Sequence, residues 1–408
     1  MVFDRISNKF RKDGLFSLIK QGGSYVQKDI KKSAVKKWVF SNYRDLIVDS
    51  EQIKSTPYVQ VLYNLDEDLE AFAESDLEKI IPTYHEYEPR YYPIFKNPFV
   101  AQLNNIVIAG PRAASIDPNG KFIADTHDFD PYDKGMTGNR LEPAIVESIT
   151  EHPKRVGKSV ISDTQPQYDQ SIKIATILYQ GSFNYYHWME HLLKLRGVSY
   201  YEQMTDNEVN IIIPKNSPSW IYESLDVLGY DKSRCIEWNG GIINVNKLVV
   251  PSFPEFRPGP LRWLRRTARE SVGEMNNNPN WIFVSRQNSD NRKIRNYNEV
   301  MDICKKHGVK PVYCEDMSVV EQIELFKSIE GVIGVHGAGL ANTIWSKDTS
   351  VIEIQNNVYK RMFQIMAYCL GNNYIPLSAR PIGDAGREMD RDVVVDAKTL
   401  DIILKQTV

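Results

Sequence analysis

Short apolar runs alternate with stretches of helical periodicity in the second half of the chain. Runs of mostly aliphatic residues at 172–178, 209–213 and 247–250 are typical of buried strands, and residues 186–203 and 218–228 between them carry apolar positions at helical spacing. Strands that alternate with helices favour a parallel sheet covered by helices. The pattern therefore predicts a Rossmann-like α/β unit.

A second series of the same kind follows a proline-rich stretch at 251–260. Ser318 and Glu321 have the spacing of a capping box, in which each side chain satisfies a backbone N–H group at the start of a helix. The predicted strands lie at 281–286, 310–313, 331–335 and 350–354, and the predicted helices at 298–307 and 319–329. This series predicts a second Rossmann-like unit.

The chain length of 408 residues suits two such domains. We expect them at 51–258 and 259–408, after a helical basic extension at 1–50. Between 45 and 105, acids, tyrosines and prolines favour loops.

Two further segments precede the first series. Residues 106–108 and 121–124 flank a Pro-Asn-Gly turn and predict a β-hairpin. Residues 126–157 carry His127, His152 and several aspartates. This segment is interpreted as a polar loop, with an acceptor-side loop as the alternative.

The loop after the strand at 331–335 is the most informative segment of the chain. Gly337 and Gly339 have no side chain and Ala338 has only a methyl group, so the backbone can approach a ligand closely. The first N–H groups of the helix that follows would point at that ligand, which favours an anion such as a diphosphate. A tight turn that packs a helix against the sheet is the alternative.

Charged residues stand at the ends of the neighbouring strands. Ser285 and Arg286 end one strand, Arg292 and Lys293 follow closely, and guanidinium groups suit phosphate oxygens. Glu353 interrupts the last strand and could accept hydrogen bonds from sugar or ribose hydroxyls. Because ligands collect at the carboxyl ends of strands in open α/β sheets, the set predicts one ligand site. Each residue alone also fits a solvated surface position.

Four motifs occur in order along the second half of the chain. They are Asn184-Tyr185-Tyr186-His187-Trp188, Ser285-Arg286 with Arg292, Val335-His336-Gly337-Ala338-Gly339-Leu340 with Asn342, and Val351-Ile352-Glu353-Ile354. In this order they resemble glycosyltransferase family 61, over roughly the last 240 residues. The resemblance implies a GT-B fold, in which two Rossmann-like domains face each other across a cleft. It also implies a nucleotide-sugar donor held mainly by the C-terminal domain, inversion at the anomeric carbon and no essential metal.

An inverting transferase needs a base that removes the proton of the acceptor hydroxyl. His187, Glu190 and His191 fall on one helix face at i, i+3 and i+4 and are predicted to supply it. A core imidazole bonded to a carboxylate is the alternative. Zinc binding is disfavoured, because the order His-Trp-Met-Glu-His lacks the H-E-x-x-H arrangement.

The predicted donor site extends beside the glycine loop. His336 could contact the donor or bond a backbone carbonyl, Asn342 could steady the helix start, and Arg361 could contact phosphate or lie on a solvated surface. The predicted donor-binding residues are Ser285, Arg286, Arg292, Lys293, His336, Gly337, Ala338, Gly339, Leu340, Asn342 and Glu353.

Composition narrows the class of protein. The formal net charge of −2 argues against a general nucleic-acid binder, and no apolar run reaches the roughly eighteen residues that span a bilayer. No secretory signal is visible, and four cysteines without C-x-x-C spacing favour reduced thiols in a cytoplasmic protein.

The N-terminal segment differs from the rest of the chain in charge. Residues 1–44 hold eleven basic and three acidic side chains, interleaved with apolar residues partly at helical spacing. Two interpretations stay open. The segment could attach the protein peripherally to the anionic inner face of a membrane, or it could form ordinary surface helices with solvated lysines.

The sequence thus predicts an inverting, metal-independent glycosyltransferase. It would move a sugar from a nucleotide-diphosphate donor to a glycan or a lipid-linked saccharide, without a cofactor. The alternatives are another GT-B-like enzyme that acts on nucleotide sugars, such as an epimerase or a transferase of a non-sugar group, and a non-catalytic subunit that binds glycan or nucleotide.

Overall fold

The computed structural model describes most of the chain as a mixed α/β structure with two large sheets and one small one. The described residues are 25–53, 55–57, 59–64, 98–126, 141–179, 183–252, 258–273, 279–356 and 361–408.

The first large sheet has nine strands in the order β1-β5-β4-β3-β9-β6-β7-β8, with β2 paired to β3. Strands β9, β6, β7 and β8 run parallel, whereas β3 is antiparallel to β9. The parallel part holds the strands of the first predicted Rossmann-like series. The nine strands are β1 (Ile47–Val48), β2 (Val59–Asn64), β3 (Phe99–Ala109), β4 (Ala114–Ile116), β5 (Phe122–Ile123), β6 (Gln170–Ile177), β7 (Asn210–Pro214), β8 (Cys235–Trp238) and β9 (Ile242–Pro251).

Helices connect and cover these strands. The segments that link the parallel strands β6, β7 and β8 are helical, as a parallel crossover requires. Strand β7 is buried almost throughout, which explains its continuous apolar run. The helices are α1 (Tyr25–Asn42), α2 (Ser50–Ile53), α3 (Leu141–Glu151), α4 (Lys158–Ile161), α5 (Tyr185–Leu192), α6 (Leu195–Thr205) and α7 (Ser219–Val227), and a π-helical turn spans Pro153–Gly157.

The second large sheet is parallel throughout, in the order β11-β10-β12-β13-β14. The predicted capping box of Ser318 and Glu321 is present at the start of α10. The elements are α8 (Pro258–Ser271), β10 (Trp281–Val284), α9 (Tyr297–Lys306), β11 (Lys310–Val312), α10 (Val319–Ser328), β12 (Gly331–Val335), the 3-10 helix Ala338–Trp345, β13 (Ser350–Gln355), α11 (Met362–Leu370), β14 (Asn373–Ser378), the antiparallel pair β15 (Arg380–Ile382) and β16 (Asp392–Val394), and α12 (Ala397–Thr407).

One hydrophobic cluster includes residues from both large sheets. Ile211 of β7 and Val332 of β12 are fully buried in it, together with Leu264 of α8. The opposite face of the second sheet packs into a separate cluster with α9 and α12. The two sheets are therefore joined by a shared core.

Four expectations from the sequence are wrong in detail. Within 126–157, expected as a polar loop, residues 141–151 form α3 and residues 153–157 form a π-helical turn. Strand β3 contains residues 106–108 but pairs with β4, and the Pro-Asn-Gly turn joins β4 to β5. The predicted helix at 186–203 is divided into α5 and α6. Residues 59–64 and 99–105, expected as loops, are strands of the first sheet; residues 65–97 lie outside the described part of the chain.

The described end of the basic N-terminal segment packs onto the protein. Val35 and Val39 of α1 are buried against α3, and Lys32 lies 3.2 Å from Glu147. Lys36 and Lys37 are exposed. This part of the segment therefore has the character of an ordinary surface helix, while residues 1–24 fall outside the described range.

Two other sequence expectations concern membranes and thiols. Among the helices that the structure describes, none combines the length and the apolar character that a bilayer span requires. All four cysteines are free thiols, and Cys304, Cys314 and Cys369 are buried.

Candidate active site

The carboxyl ends of three parallel strands bring the predicted motifs of the second series together. β12 lies between β10 and β13, with Gly334 in register with both Val284 and Glu353. Ser285 and Arg286 follow β10, and His336 follows β12. The residues expected to bind the donor therefore meet at one edge of the sheet.

The glycines of the loop after β12 leave room for neighbouring side chains. A Cβ atom at Gly337 would overlap with the guanidinium of Arg286, and one at Gly339 would lie 2.8 Å from Cγ1 of Val284. The absent side chains thus let Arg286 lie on the loop backbone and let the loop pack on β10. The space beside Gly337 holds a cation that can itself meet an anion.

The helix that follows this loop is a 3-10 helix, whereas an α-helix was expected. Its first hydrogen bond joins Leu340 N–H to the carbonyl of Gly337, and no side chain caps its start. The N–H groups of Ala338 and Gly339 have no partner among the described residues. They remain as hydrogen-bond donors beside Arg286.

Arg286 is a largely buried cation without a carboxylate partner. Burial, and next the charge of Arg292, lower its pKa to about 10. Nη2 donates to Oδ1 of Asn291 at 3.1 Å, Nε has no partner, and within the described chain no carboxylate lies at ion-pair distance. A bound anion would relieve this charge, because a buried cation is costly until it is paired.

Arg292 is hydrogen-bonded to the backbone of the loop after β12. It has a left-handed backbone with φ of 57°, and Nη1 donates to the carbonyl of His336 at 2.9 Å. Its Nε lies 3.9 Å from Oδ1 of Asp390, and burial lowers its pKa. Arg292 therefore fixes the loop and adds positive charge to the site.

Lys293 and Ser285 lie beside the arginines. Lys293 is anchored through its backbone N–H, which donates to Asp392 at 2.8 Å. The buried Ser285 hydroxyl accepts hydrogen bonds from Gln287 N–H and from the Tyr297 hydroxyl, both at 3.3 Å.

His336 is held by a buried carboxylate. Its Nδ1 is hydrogen-bonded to Oε1 of Glu353, which is fully buried. Oε2 of Glu353 accepts from Tyr374 at 2.5 Å and from Gln355 at 3.0 Å. Both oxygens of Glu353 are thus engaged within the protein, so its carboxylate orients His336 and does not reach a sugar hydroxyl.

His187 and Glu190 form a second imidazole–carboxylate pair at the start of α5. The Asn184 side chain caps the helix by accepting from His187 N–H at 3.3 Å. Nδ1 of His187 lies 2.7 Å from Oε2 of Glu190, and 38% of the His187 side chain is exposed. His191, predicted on the same face, is fully buried. The pair His187–Glu190 can thus meet solvent or a ligand, and His191 belongs to the core.

Aromatic contacts connect the two imidazole pairs. The Phe363 ring lies 5.7 Å from the Tyr186 ring and 5.3 Å from the His336 ring, and Tyr186 is adjacent to His187. The Tyr185 hydroxyl donates to Oδ1 of Asn342 at 2.7 Å. The start of α5 therefore packs against the loop after β12, across the boundary between the two sheets.

Sequence reasoning missed the residues that make this connection. Phe363 and Tyr374 follow the last motif and carry no pattern of their own, but Tyr185 and Tyr186 stand inside the first motif. The pair Tyr185-Tyr186, directly before the candidate His187, was the sequence feature that could have indicated these contacts.

Asn342 and Leu340 lie in the interior. Asn342 is fully buried, donates to Gln322 at 2.6 Å and accepts from Trp345 at 3.1 Å as well as from Tyr185. Leu340 is buried against Gly334, where an added Cβ would lie 2.9 Å from its side chain. Their contacts position the 3-10 helix.

The remaining candidates lie away from this site or outside the described chain. Nε2 of His152 is hydrogen-bonded to the carbonyl of Gly240 at 2.9 Å, and Arg361 precedes the first turn of α11. Residues 127–140, with His127 and the three aspartates of the candidate acceptor loop, are not in the described range. Among the residues described, no three His, Cys, Asp or Glu side chains form a metal-binding group.

The chain was compared with family models, curated proteins and solved structures. The family model "Glycosyltransferase 61" matches residues 185–352, which include the His187 pair and the loop at Gly337. No curated protein matches the chain. One similar solved structure is the E. coli heptosyltransferase WaaC with ADP-2-deoxy-2-fluoro heptose, which is 8% identical; the match covers 58% of this chain and 100% of that chain, with a TM-score of 0.30.

Proposed function

We propose that the protein is a glycosyltransferase of family 61, because the model of that family matches residues 185–352, and that it inverts the anomeric carbon without a required metal. The donor is a nucleotide-diphosphate sugar, and the acceptor is a glycan or a lipid-linked saccharide. The acceptor side lies in residues 51–258 and the donor side in 259–408, in a GT-B arrangement.

The observation that carries the proposal is the packing of the His187 helix onto the His336 loop. Phe363 contacts both Tyr186 and His336. This packing supports the proposal because the His187–Glu190 pair and the loop beside Arg286 lie on neighbouring segments, as a transfer between an acceptor hydroxyl and a phosphorylated sugar requires.

On the donor side, Arg286 and the N–H groups of Ala338 and Gly339 receive the diphosphate. The bond between the anomeric carbon and the phosphate oxygen breaks during transfer, and negative charge develops on the leaving nucleoside diphosphate. Arg286, with Arg292 behind it, stabilises this charge. The two arginines supply the positive charge that a divalent cation supplies in other transferases.

On the acceptor side, His187 removes the proton. Glu190 binds Nδ1, which leaves Nε2 to accept the proton of the hydroxyl as its oxygen attacks the anomeric carbon. This division of roles is that of a base and the carboxylate that orients it. His336, oriented by Glu353, lies on the donor side.

Substitution of His187 tests the base. A screen of nucleotide sugars for hydrolysis and thermal stabilisation first supplies the donor. His187→Ala is then expected to lower turnover by roughly 10²- to 10⁴-fold with donor affinity nearly intact. Glu190→Gln is expected to cost less, since the carboxylate only orients the imidazole, and turnover is expected to persist in excess EDTA.

A matched control is His307→Ala. Nε2 of His307 lies 2.7 Å from Oδ1 of Asp401, so the variant removes another imidazole–carboxylate pair. His307 follows α9 and precedes β11, so it lies at the other end of the strands from the candidate site. The base assignment fails if His187→Ala keeps wild-type turnover while folded. A larger loss in Glu190→Gln would make the carboxylate the base, and loss of turnover in EDTA with rescue by Mn²⁺ or Mg²⁺ would refute metal independence.

A further inference from the structure

A strongly basic groove lies along helix α8. Four arginines at i, i+3, i+4 and i+7 share one face of this helix, and the spacing places them in a single stripe. The groove encloses about 600 Å³. We call it the arginine groove. It is lined by Arg262, Arg265, Arg266, Arg269, Glu270, Val272, Lys327 and Lys347.

The arginine groove lies at the opposite edge of the second sheet from the candidate active site. Lys327 is near the end of α10, shortly before β12 begins, and Lys347 directly precedes β13. His336 follows the other end of β12. A ligand in the groove is therefore separated from the donor site by the length of the strands.

Two of the arginines are fixed by backbone carbonyl groups. Nη1 of Arg265 donates to Ser346 at 3.0 Å and to Leu370 at 2.9 Å. Nη1 of Arg269 donates to the carbonyls of Lys327 and Trp345, both at 2.9 Å. These carbonyls lie at helix ends, where a cation interacts favourably with the helix dipole.

The guanidinium of Arg265 keeps further donors available. Its Nε and Nη2 have no partner among the described residues, and neither is sealed from solvent. A guanidinium held by one nitrogen presents its remaining N–H groups in a fixed direction. Such preorganisation reduces the entropy lost when an anion binds.

The positive charges in the arginine groove repel one another, which is visible in the pKa of Arg265. Burial lowers the pKa of Arg265, and the charges of Arg269 and Arg262 lower it further, against the opposing effect of Asp348. Arg266 is exposed and has no carboxylate at ion-pair distance within the described chain. Helix capping accounts for Arg265 and Arg269 but not for Arg266.

We propose that the arginine groove is a second anion site, separate from the donor site, that binds phosphate groups. Six cations against one carboxylate in the lining suit a ligand with more than one negative charge in a small volume. A diphosphate carries more negative charge and more acceptor oxygens than a single carboxylate, so it can pair with more of these guanidinium groups at once. The same chemistry occurs in a soluble diphosphate and in the headgroups of an anionic bilayer.

Titration with inorganic pyrophosphate tests the site. The variant Arg286→Ala provides the background, so that binding at the donor site does not obscure the groove. In this background the exposed pair Arg262→Glu with Arg266→Glu is expected to weaken pyrophosphate binding by roughly tenfold or more, the equivalent of one lost hydrogen bond to a charged group. Arg265 and Arg269 stay in place, so the melting temperature is expected to change little.

A charge-matched control separates the groove from net charge. Lys36→Glu with Lys37→Glu makes the same charge change at exposed positions of α1 and is expected to leave pyrophosphate binding unchanged. Equal affinities in the two double variants, or no pyrophosphate binding in the Arg286→Ala background, would overturn the proposal.

Vesicle flotation distinguishes the two sources of phosphate. Binding to phosphatidylcholine vesicles that contain phosphatidylglycerol, lost in the groove variant and kept in the lysine variant, identifies lipid headgroups. Pyrophosphate binding without vesicle binding identifies a soluble ligand. Binding of a polycarboxylate such as polygalacturonate, with none to pyrophosphate, would contradict the assignment to phosphate. The groove pair and the lysine pair are also made in the protein that retains Arg286. There, both are expected to keep wild-type transferase turnover on a soluble acceptor.

Discussion

At the scale of single residues, the contact between Arg286 and Gly337 determines the character of the donor site. The guanidinium lies where a Cβ atom of residue 337 would be. The backbone of Gly337 is extended, with φ of 173°, so alanine can adopt it without strain. A methyl group at this position would therefore displace the arginine and leave the fold intact.

Gly337→Ala is accordingly expected to weaken nucleoside-diphosphate binding nearly as much as Arg286→Ala does. The loss is about 1.5 to 3 kcal/mol, the range for a hydrogen bond to a charged group. Calorimetry with UDP, GDP, CDP and dTDP measures it. Gly386→Ala is the control, because a Cβ atom there meets nothing within 4 Å. Full affinity in Gly337→Ala for whichever nucleotide binds would separate Arg286 from the donor site.

The sequence predicted which residues lie close together in the donor site. It did not predict the contacts that each of them makes. Because the carboxyl ends of parallel strands share an edge, Arg286 and His336 were expected together. Their partners were not, since Tyr374 and Phe363 reach the site from later elements. In the sequence, Glu353 cannot be distinguished from an exposed acid at a strand end. Only the structure shows that it is buried and hydrogen-bonded to His336.

At the scale of elements, hydrophobic periodicity located many of the strands and helices after residue 170, but it missed β8, α8, β14, the small β15–β16 pair and the final helix. It failed where side chains bond to the backbone. In the 3-10 helix Ala338–Trp345, the Thr343 hydroxyl donates to the carbonyl of Leu340 at 2.8 Å, and Asn342 donates to the carbonyl of Gly339 at 3.3 Å. Such bonds compete with α-helical pairing and are invisible to apolar spacing.

The division of the predicted helix at 186–203 has a packing origin. Lys194, between α5 and α6, is almost fully buried and donates to the carbonyl of Ile177 at 3.2 Å. Gly197 lies so close to Pro251 that an added Cβ would be 2.9 Å from its ring. The direction of α6 is therefore set by strands that are distant in sequence.

The attachment of the last helix provides a prediction about pH. Asp401 of α12 accepts hydrogen bonds from Lys405 at 2.6 Å, His307 at 2.7 Å and Lys306 at 3.0 Å. Hydrogen bonds, first from Lys405 and then from His307 and Lys306, hold the pKa of this carboxyl well below its usual range. The stability it contributes is complete above the unfolded-state pKa of about 3.9 and is lost as pH falls below that value.

Asp401→Asn is therefore expected to lower the melting temperature at neutral pH, by an amount that shrinks below about pH 4. Thermal unfolding followed by circular dichroism at several pH values measures this difference. Asp384→Asn, at an exposed aspartate with no partner in the described chain, is expected to have no such effect. A difference that stays constant down to acid pH would show that the Asp401 charge does not hold α12.

At the scale of the whole molecule, the two large sheets are physically coupled. Besides the shared hydrophobic cluster, the carboxylate of Glu223 on α7 accepts from the backbone N–H of Val319 on α10 at 2.9 Å. Tyr185 and Asn342 make a second hydrogen bond between the two halves. Because the two halves share buried residues, their relative motion is restrained.

We therefore expect the two sheets to unfold as one cooperative unit. Ile211 of β7 and Val332 of β12 are both fully buried in the shared cluster, so Ile211→Ala is expected to cost about 2 to 5 kcal/mol and to destabilise both sheets. Hydrogen exchange measured by mass spectrometry is expected to show equal loss of protection in peptides from β7 and from β12. Ile402→Ala, at an isoleucine that is 55% exposed, is the control and is expected to leave protection unchanged. Loss of protection confined to the first sheet would mean that the halves are independent domains, and that the packing of the start of α5 against the His336 loop depends on their docking.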